Sequence, residues 1–103
     1  MAASAATVAL VSPASKDQRD REILQYDLGQ ATYAIMLVAA DLGIGTGHSA
    51  VADQDAARRI LGVPQDRTVE WLVALGYPQD RPLAPIEDIN RRPFEDVVHR
   101  EQW

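Results

Sequence analysis

Leu72-Val-Ala-Leu-Gly-Tyr-Pro78 closes the strongest strand candidate of this chain and decides its fold. The residues that lead into it, Thr68-Val-Glu-Trp71, add the β-branched and aromatic side chains that favour a pleated, half-buried surface. Gly76 and Pro78 end the pattern, because glycine weakens a strand and proline lacks the N–H that a ladder needs. We therefore predict a strand over Thr68–Leu75.

A short strand and a long helix are predicted upstream. Thr7–Val11 is an apolar, β-branched run that Ser-Pro ends, so it is read as a buried strand. The charged residues of Ala14–Gln25 indicate a solvated loop or the polar face of a short helix. From Asp27 to Leu42 apolar residues recur at spacings of three and four, which predicts a central helix buried nearly all round. Asp27 suits its N-terminus, and Gly43 suits its C-terminal turn.

The remaining segments are connections and shorter elements. Ile44–Val51 is glycine-rich and can run extended. A short helix is predicted over Gln54–Leu61, with Asp53 as its N-cap. The prolines of Gln79–Asn90 predict an irregular arm, and Arg92–Gln102 is expected to form a short helical end.

Composition limits the organisation of the chain and its partners. A length of 103 residues fits one domain over 1–103 with a flexible N-terminus over 1–6. Ten Lys and Arg against fifteen Asp and Glu give a net charge of −5, which disfavours nucleic acid and anionic membranes as partners. No run reaches the roughly 18 apolar residues of a membrane helix, so we expect a soluble, cytoplasmic protein without a membrane partner.

Disulfides, metal sites and a dinucleotide-binding loop are disfavoured. The chain has no cysteine, which excludes disulfides and thiolate metal sites. Its two histidines, His48 and His99, are far apart and have no ligand spacing around them, so no metal site is predicted. A dinucleotide-binding loop follows a strand and leads into a helix. Gly43-Ile-Gly-Thr-Gly47 instead follows a predicted helix, so a dinucleotide-binding site is disfavoured.

Three segments together resemble the C-terminal half of the FMN-dependent nitroreductase family: Ala39-Ala-Asp-Leu-Gly-Ile-Gly45, Leu72–Pro78 and Asn90-Arg-Arg-Pro-Phe-Glu-Asp-Val-Val-His-Arg-Glu-Gln-Trp103. The resemblance runs from Thr7 to Trp103. It implies an α+β half domain, in which a central buried helix packs on a small β-sheet and dimerisation completes the fold. The N-terminal half of family members supplies a basic Arg-Ser phosphate-binding motif, which has no counterpart before Asp27. The resemblance thus implies a truncated or split member, whose partner is a second copy or a chain that supplies the missing N-terminal half.

The resemblance also implies a flavin site. In the family, the backbone beyond the Leu-Gly-x-Gly turn passes over the flavin ring, since glycines allow close approach and backbone N–H groups can tune the reduction of the flavin. The matching positions are His48, Ser49, Ala50 and Val51. Arg91 matches a basic residue that binds the FMN phosphate, for which a guanidinium is well suited. Two departures stand out: Ile89 replaces a second basic residue, and Ala50-Val51 offers no carboxylate.

The function implied is an FMN-dependent oxidoreductase that passes electrons from NAD(P)H to a nitroaromatic, quinone or similar acceptor. The alternative is a non-catalytic, truncated binding or regulatory subunit, and a third possibility is an unrelated soluble domain. The residues themselves leave simpler interpretations open. The glycines of 43–47 also suit a turn without a ligand, Arg91 and Arg92 suit a solvated pair, and Trp71 suits a core position.

Overall fold

A computed structural model of the chain describes residues 4–79, 83–84 and 90–103, in which three strands and two α-helices are present. In chain order these elements are β1 (Ala6–Pro13), α1 (Gln18–Asp41), β2 (Gly45–Ala50), α2 (Gln54–Leu61) and β3 (Arg67–Gly76). The strands form one antiparallel sheet in the order β1-β3-β2. The α+β class with a helix on a small sheet is confirmed.

β3 is the central strand and carries the core of the sheet. Val69 and Val73 of this strand are 0% exposed. Leu10 of β1 pairs with Trp71, but the next residue, Val11, pairs with Val69. Glu70 is therefore the extra residue of a β-bulge. Both strands predicted from apolar, β-branched and aromatic content are confirmed with slightly wider bounds, but Thr7–Val11 is half-buried or exposed and not buried as predicted.

α1 begins well before the predicted start at Asp27, which is a correction. Its N-cap is Asp17, whose side chain accepts a hydrogen bond from the N–H of Asp20 at 3.1 Å. The charged segment predicted as a loop or short helix forms the first turns of this long helix, because Arg, Gln and Glu favour helix where one face meets solvent. With 24 residues, α1 is about 36 Å long.

The C-terminus of α1 has the predicted glycine turn. Gly43 has a φ of +71°. Its N–H donates to the carbonyl of Ala40 at 3.0 Å, and the N–H of Ile44 donates to the carbonyl of Ala39 at 2.8 Å. These two bonds satisfy carbonyls that have no partner within the helix and direct the chain into β2.

The prediction that this helix is buried nearly all round is wrong for the single chain. Of its residues only Ala39 is buried, whereas Tyr33 is 64% and Val38 61% exposed. The physical reason is that the described part of the chain provides a sheet against one side of the helix only.

α2 has the predicted bounds and the predicted N-cap. Asp53 Oδ1 accepts from the N–H of Ala56 at 2.9 Å, and Gly62 ends the helix with a φ of +67°. The helical end predicted over Arg92–Gln102 is reduced to a 3₁₀ turn at Phe94–Asp96, and the β-branched Val97 and Val98 that follow are exposed and disfavour a longer helix.

Two further expectations, the irregular arm and the absence of a membrane helix, can be compared with the described residues only. Most of the arm predicted over Gln79–Asn90 lies outside them. Within them, no helix combines the length and the apolar character that crossing a membrane requires.

The two candidate caps of α1 make contrasting predictions. Asp17→Ala removes a side-chain acceptor from the first turn and should lower the free energy of unfolding by about 1 kcal/mol. Asp27→Ala changes an exposed residue inside the helix and should leave stability unchanged or slightly raised. Urea denaturation followed by circular dichroism compares the two. If Asp27→Ala lowered the free energy of unfolding more than Asp17→Ala does, the result would contradict the observed start of the helix.

Candidate functional site

The four residues predicted to border a flavin ring lie along β2 and at its exit. His48 is opposite Val73, Ser49 is opposite Leu72 and Ala50 is opposite Trp71. Because side chains alternate along a strand, His48 and Ala50 face one side of the sheet and Ser49 the other. The four residues therefore share a stretch of backbone and do not form one cluster of side chains.

β2 lies at an edge of the sheet, since among the described strands it pairs with β3 alone. His48, Ser49 and Ala50 are exposed, and Val51 is half-buried at the point where the chain leaves the strand. An edge position leaves one side of a strand's backbone open to another chain or to a ligand. The predicted backbone contact with a planar ring is thus compatible with where β2 lies.

A groove between α1 and the sheet begins at His48. Its volume is about 330 Å³. The lining residues are Gln25, Gly29, Thr32, Tyr33, Met36, His48 and Trp71. The rings of His48 and Trp71 are 5.8 Å apart and meet edge to face at 63°. Aromatic walls with a few polar groups are typical of sites for planar ligands.

Trp71 is fixed in the wall of this groove by a chain of hydrogen bonds. Its indole Nε1 donates to Gln25 Oε1 at 3.0 Å, and Gln25 Nε2 donates to Glu70 Oε2 at 2.9 Å. The hydroxyl of the buried Ser12 donates to Glu70 Oε1 at 2.6 Å. Glu70 and Trp71, which are consecutive in β3, thus both bond to Gln25 of α1. They can do so because the β-bulge interrupts the regular alternation of side chains between the two faces of the sheet.

The core position predicted for Trp71 is wrong in part. The residue lies in the strand as expected, but it is half-buried, bonded through its indole N–H and open to the groove. Gln25 was overlooked because it falls in the charged segment before the predicted helix. The available signal was the spacing of Gln25, Gly29, Thr32 and Met36, which places them on one face of a helix.

Arg91 is not among the residues that line the groove. It is exposed within 90–103, and over the described residues the groove has no arginine or lysine in its lining. The neighbouring Arg92 donates to the carbonyl of Asp96 at 3.1 Å, and the rings of His99 and Trp103 are 4.4 Å apart. The phosphate role of Arg91 therefore stays a prediction.

The chemistry of the groove favours binding over acid–base catalysis. The described lining of the groove contains no carboxylate, and Glu70, which is bonded to Gln25 of the lining, also accepts a hydrogen bond from Ser12. Across the described part of the chain, no group of three His, Asp or Glu side chains is placed to bind a metal. The arrangement can accept a flat ring and orient it against Trp71 and His48.

Comparisons with known proteins agree on one family. The family model described as "Nitroreductase family" matches residues 1–77. A protein of Archaeoglobus fulgidus named as an NADH dehydrogenase/NAD(P)H nitroreductase is 37% identical over 98% of this chain and 59% of its own length.

Solved structures share the fold. A nitroreductase family protein of Streptococcus pneumoniae superposes with a TM-score of 0.69 at 20% identity, over 84% of this chain and 41% of its own. An FMN-dependent nitroreductase of Clostridium difficile superposes with a TM-score of 0.66 at 20% identity, over 94% of this chain and 57% of its own. The chain thus spans about half the length of the relatives it matches. From the matching family model and the identity to the archaeal relative, it follows that the chain belongs to the nitroreductase family.

Proposed function

We propose that this chain forms part of an FMN-dependent oxidoreductase that passes electrons from NAD(P)H to a nitroaromatic, quinone or similar acceptor. The observation that carries the proposal is the aromatic groove of about 330 Å³, which shares His48 with the segment His48–Val51. Its size lies within the range of small-molecule sites, about 300 to 1,000 Å³. The names of the archaeal relative and of the clostridial structure support the same chemistry.

The residues of the groove fit the ring system of a flavin. Trp71 and Tyr33 offer aromatic surface, while Gln25 and Thr32 add polar groups at the margin. Gly29 leaves room, because a Cβ built at this position has no neighbouring atom within 4 Å. A flat heterocycle with polar edges matches that combination of walls.

The same residues do not fit the phosphate of FMN. A phosphate needs a guanidinium, an ammonium or a cluster of backbone N–H groups. The described lining of the groove supplies no such cation. We therefore assign the phosphate to a second polypeptide or to Arg91, which the sequence places in the family's basic position.

The chain's own part in the reaction is to bind and orient. Bound FMN supplies the hydride and electron chemistry. The backbone of His48–Val51 borders the ring, and the half-buried indole of Trp71 shields one side of the groove from water. Gln25 fixes the indole orientation. No acid–base residue is assigned.

A second chain would complete the site. α1 presents large apolar side chains that are more than half exposed, which in a protein surface marks an interaction site. These residues are Ile23, Tyr26, Tyr33, Leu37 and Val38. The partner is either a second copy of this chain or a chain that supplies the rest of the family fold, since this chain spans 59% of its archaeal relative.

The alternative function is a non-catalytic binding or regulatory subunit. Two observations favour it: the groove has no cation among its described residues, and Ala50 and Val51 offer no carboxylate for orienting a substrate. Such a subunit would retain the fold and the apolar surface of α1 without turning over an acceptor.

Flavin retention tests the two functions directly. The purified chain is incubated with FMN, passed through a desalting column and measured for its visible spectrum and its molar mass in solution. We expect a retained flavin band on a species larger than the monomer, because the groove alone has no phosphate ligand. A colourless protein that self-associates would favour the non-catalytic subunit, whereas a colourless monomer would favour a separate chain that supplies the rest of the fold.

Arg91→Ala tests the phosphate assignment. Loss of a charge-assisted contact should weaken FMN binding by about 1.5 to 3 kcal/mol, which is roughly a 10- to 100-fold rise in Kd. Arg92→Ala is the matched control, since the Arg92 guanidinium donates to a nearby backbone carbonyl. Calorimetric titration gives both constants. Equal values for wild type and Arg91→Ala would remove Arg91 from the site.

Gly29 tests whether the ring occupies the groove. Gly29→Ala and Gly29→Leu should each raise the free energy of unfolding by about 0.5 to 1 kcal/mol, because glycine is a poor residue inside a helix. The leucine also fills the groove, so FMN affinity should fall at least about tenfold, or about 1.4 kcal/mol. The alanine should retain most of the affinity. If the leucine variant binds FMN as wild type does, the ring lies elsewhere.

A further inference from the structure

We propose that Gln54 is a positioning residue, whose side chain sets the direction of the backbone at Val51 and thereby the edge that the flavin ring meets. The inference rests on the function proposed above. Gln54 is the first residue of α2 and is half-buried. Its carboxamide makes three hydrogen bonds, all to backbone atoms of other segments.

Two of these bonds continue the sheet where β2 stops. The pairing of β2 ends with Ala50 opposite Trp71. Further along β3, Gln54 Nε2 donates to the carbonyl of Val69 at 2.8 Å, and the N–H of Val69 donates to Gln54 Oε1 at 3.0 Å. The side-chain amide therefore makes the exchange of bonds that a backbone residue of a neighbouring strand would make. β2 can leave the sheet without exposing an unpaired group of the central strand.

The third bond reaches the candidate site. Gln54 Nε2 also donates to the carbonyl of Val51 at 3.2 Å. A trans peptide is planar, so fixing this carbonyl also fixes the direction of the Ala52 N–H, which points away from the carboxamide. Gln54 thus controls one peptide plane at the end of the stretch His48–Val51.

A carboxamide of this length can make all three hydrogen bonds. The position requires one acceptor and two donors on a single planar group. An ionised glutamate accepts but does not donate, so it would face the carbonyls of Val69 and Val51 without a proton. A leucine fills the space and makes no hydrogen bond. Gln54→Glu and Gln54→Leu therefore remove the contact with Val51 by different physical routes.

Gln54 could instead serve only to attach α2 to β3, and the chain contains a matched control for that simpler role. Arg58, one turn further along α2, donates from Nε to the carbonyl of Arg67 at 3.1 Å. It joins the same helix to the same strand. None of the hydrogen bonds observed for its side chain involves Val51.

The experiment compares Gln54→Leu, Gln54→Glu and Arg58→Met in the full chain. Amide chemical shifts and hydrogen exchange are first recorded by NMR without flavin, and the Kd and visible spectrum with FMN follow. We expect all three variants to lower the melting temperature. The Gln54 variants alone should shift the amide signal of Ala52, expose that of Val69, raise the Kd for FMN about tenfold and shift the flavin band.

Separate results overturn the inference and the proposed function. The inference is wrong if the Ala52 signal is unchanged in both Gln54 variants, or if Arg58→Met weakens FMN binding as much as they do. If wild-type protein binds no FMN as a self-associated species, the proposed function fails for this chain without another partner. The spectra recorded without flavin then still decide whether Gln54 sets the backbone at Val51.

Discussion

β3 pairs with β1 along one edge and with β2 along the other, so the position of every other element is set relative to this strand. Val69 and Val73 are fully buried within it, and in a chain of this size two such residues form a large share of the core. The helices attach to the same strand: the side chains of Gln54 and Arg58 of α2 bond to its backbone, and Gln25 of α1 bonds to the side chain of Glu70. A change in the register of β3 would therefore displace the groove, the exit of β2 and α2 together.

The bulge at Glu70 turns this scaffold into a site. Regular alternation would direct Glu70 and Trp71 to opposite faces of the sheet. The extra residue lets both side chains reach Gln25, so that one carboxylate orients the amide and the amide orients the indole. Ser12, almost fully buried, completes the chain of bonds. The aromatic wall of the groove thus depends on an irregularity in strand pairing.

Sequence reasoning succeeded where the determinants are local. Asp53 caps α2 as predicted, and Gly43 forms the predicted turn after α1, so both roles follow from capping chemistry alone. It failed at the start of α1, where the charged residues indicate a loop or the polar face of a separate short helix but form the first turns of the long helix. The groove could not be foreseen, because it depends on a register shift between β1 and β3 and on a contact from Gln25 to residues 45 and 46 positions away.

The three-stranded sheet is too small to cover α1, and this explains both the exposed apolar side chains of the helix and the open side of the groove. A single three-stranded sheet covers one side of α1, so the apolar residues on its other sides remain in solvent. Burial of such side chains contributes about 25 cal/mol per Å² of apolar surface, so a partner that covers them would stabilise the fold while closing the open side of the groove. Under the proposed function, the cation that the described lining of the groove lacks would come from Arg91 or from the chain that covers this face. Folding, association and cofactor binding are then linked equilibria, and ligand that binds only the complete assembly would favour its formation.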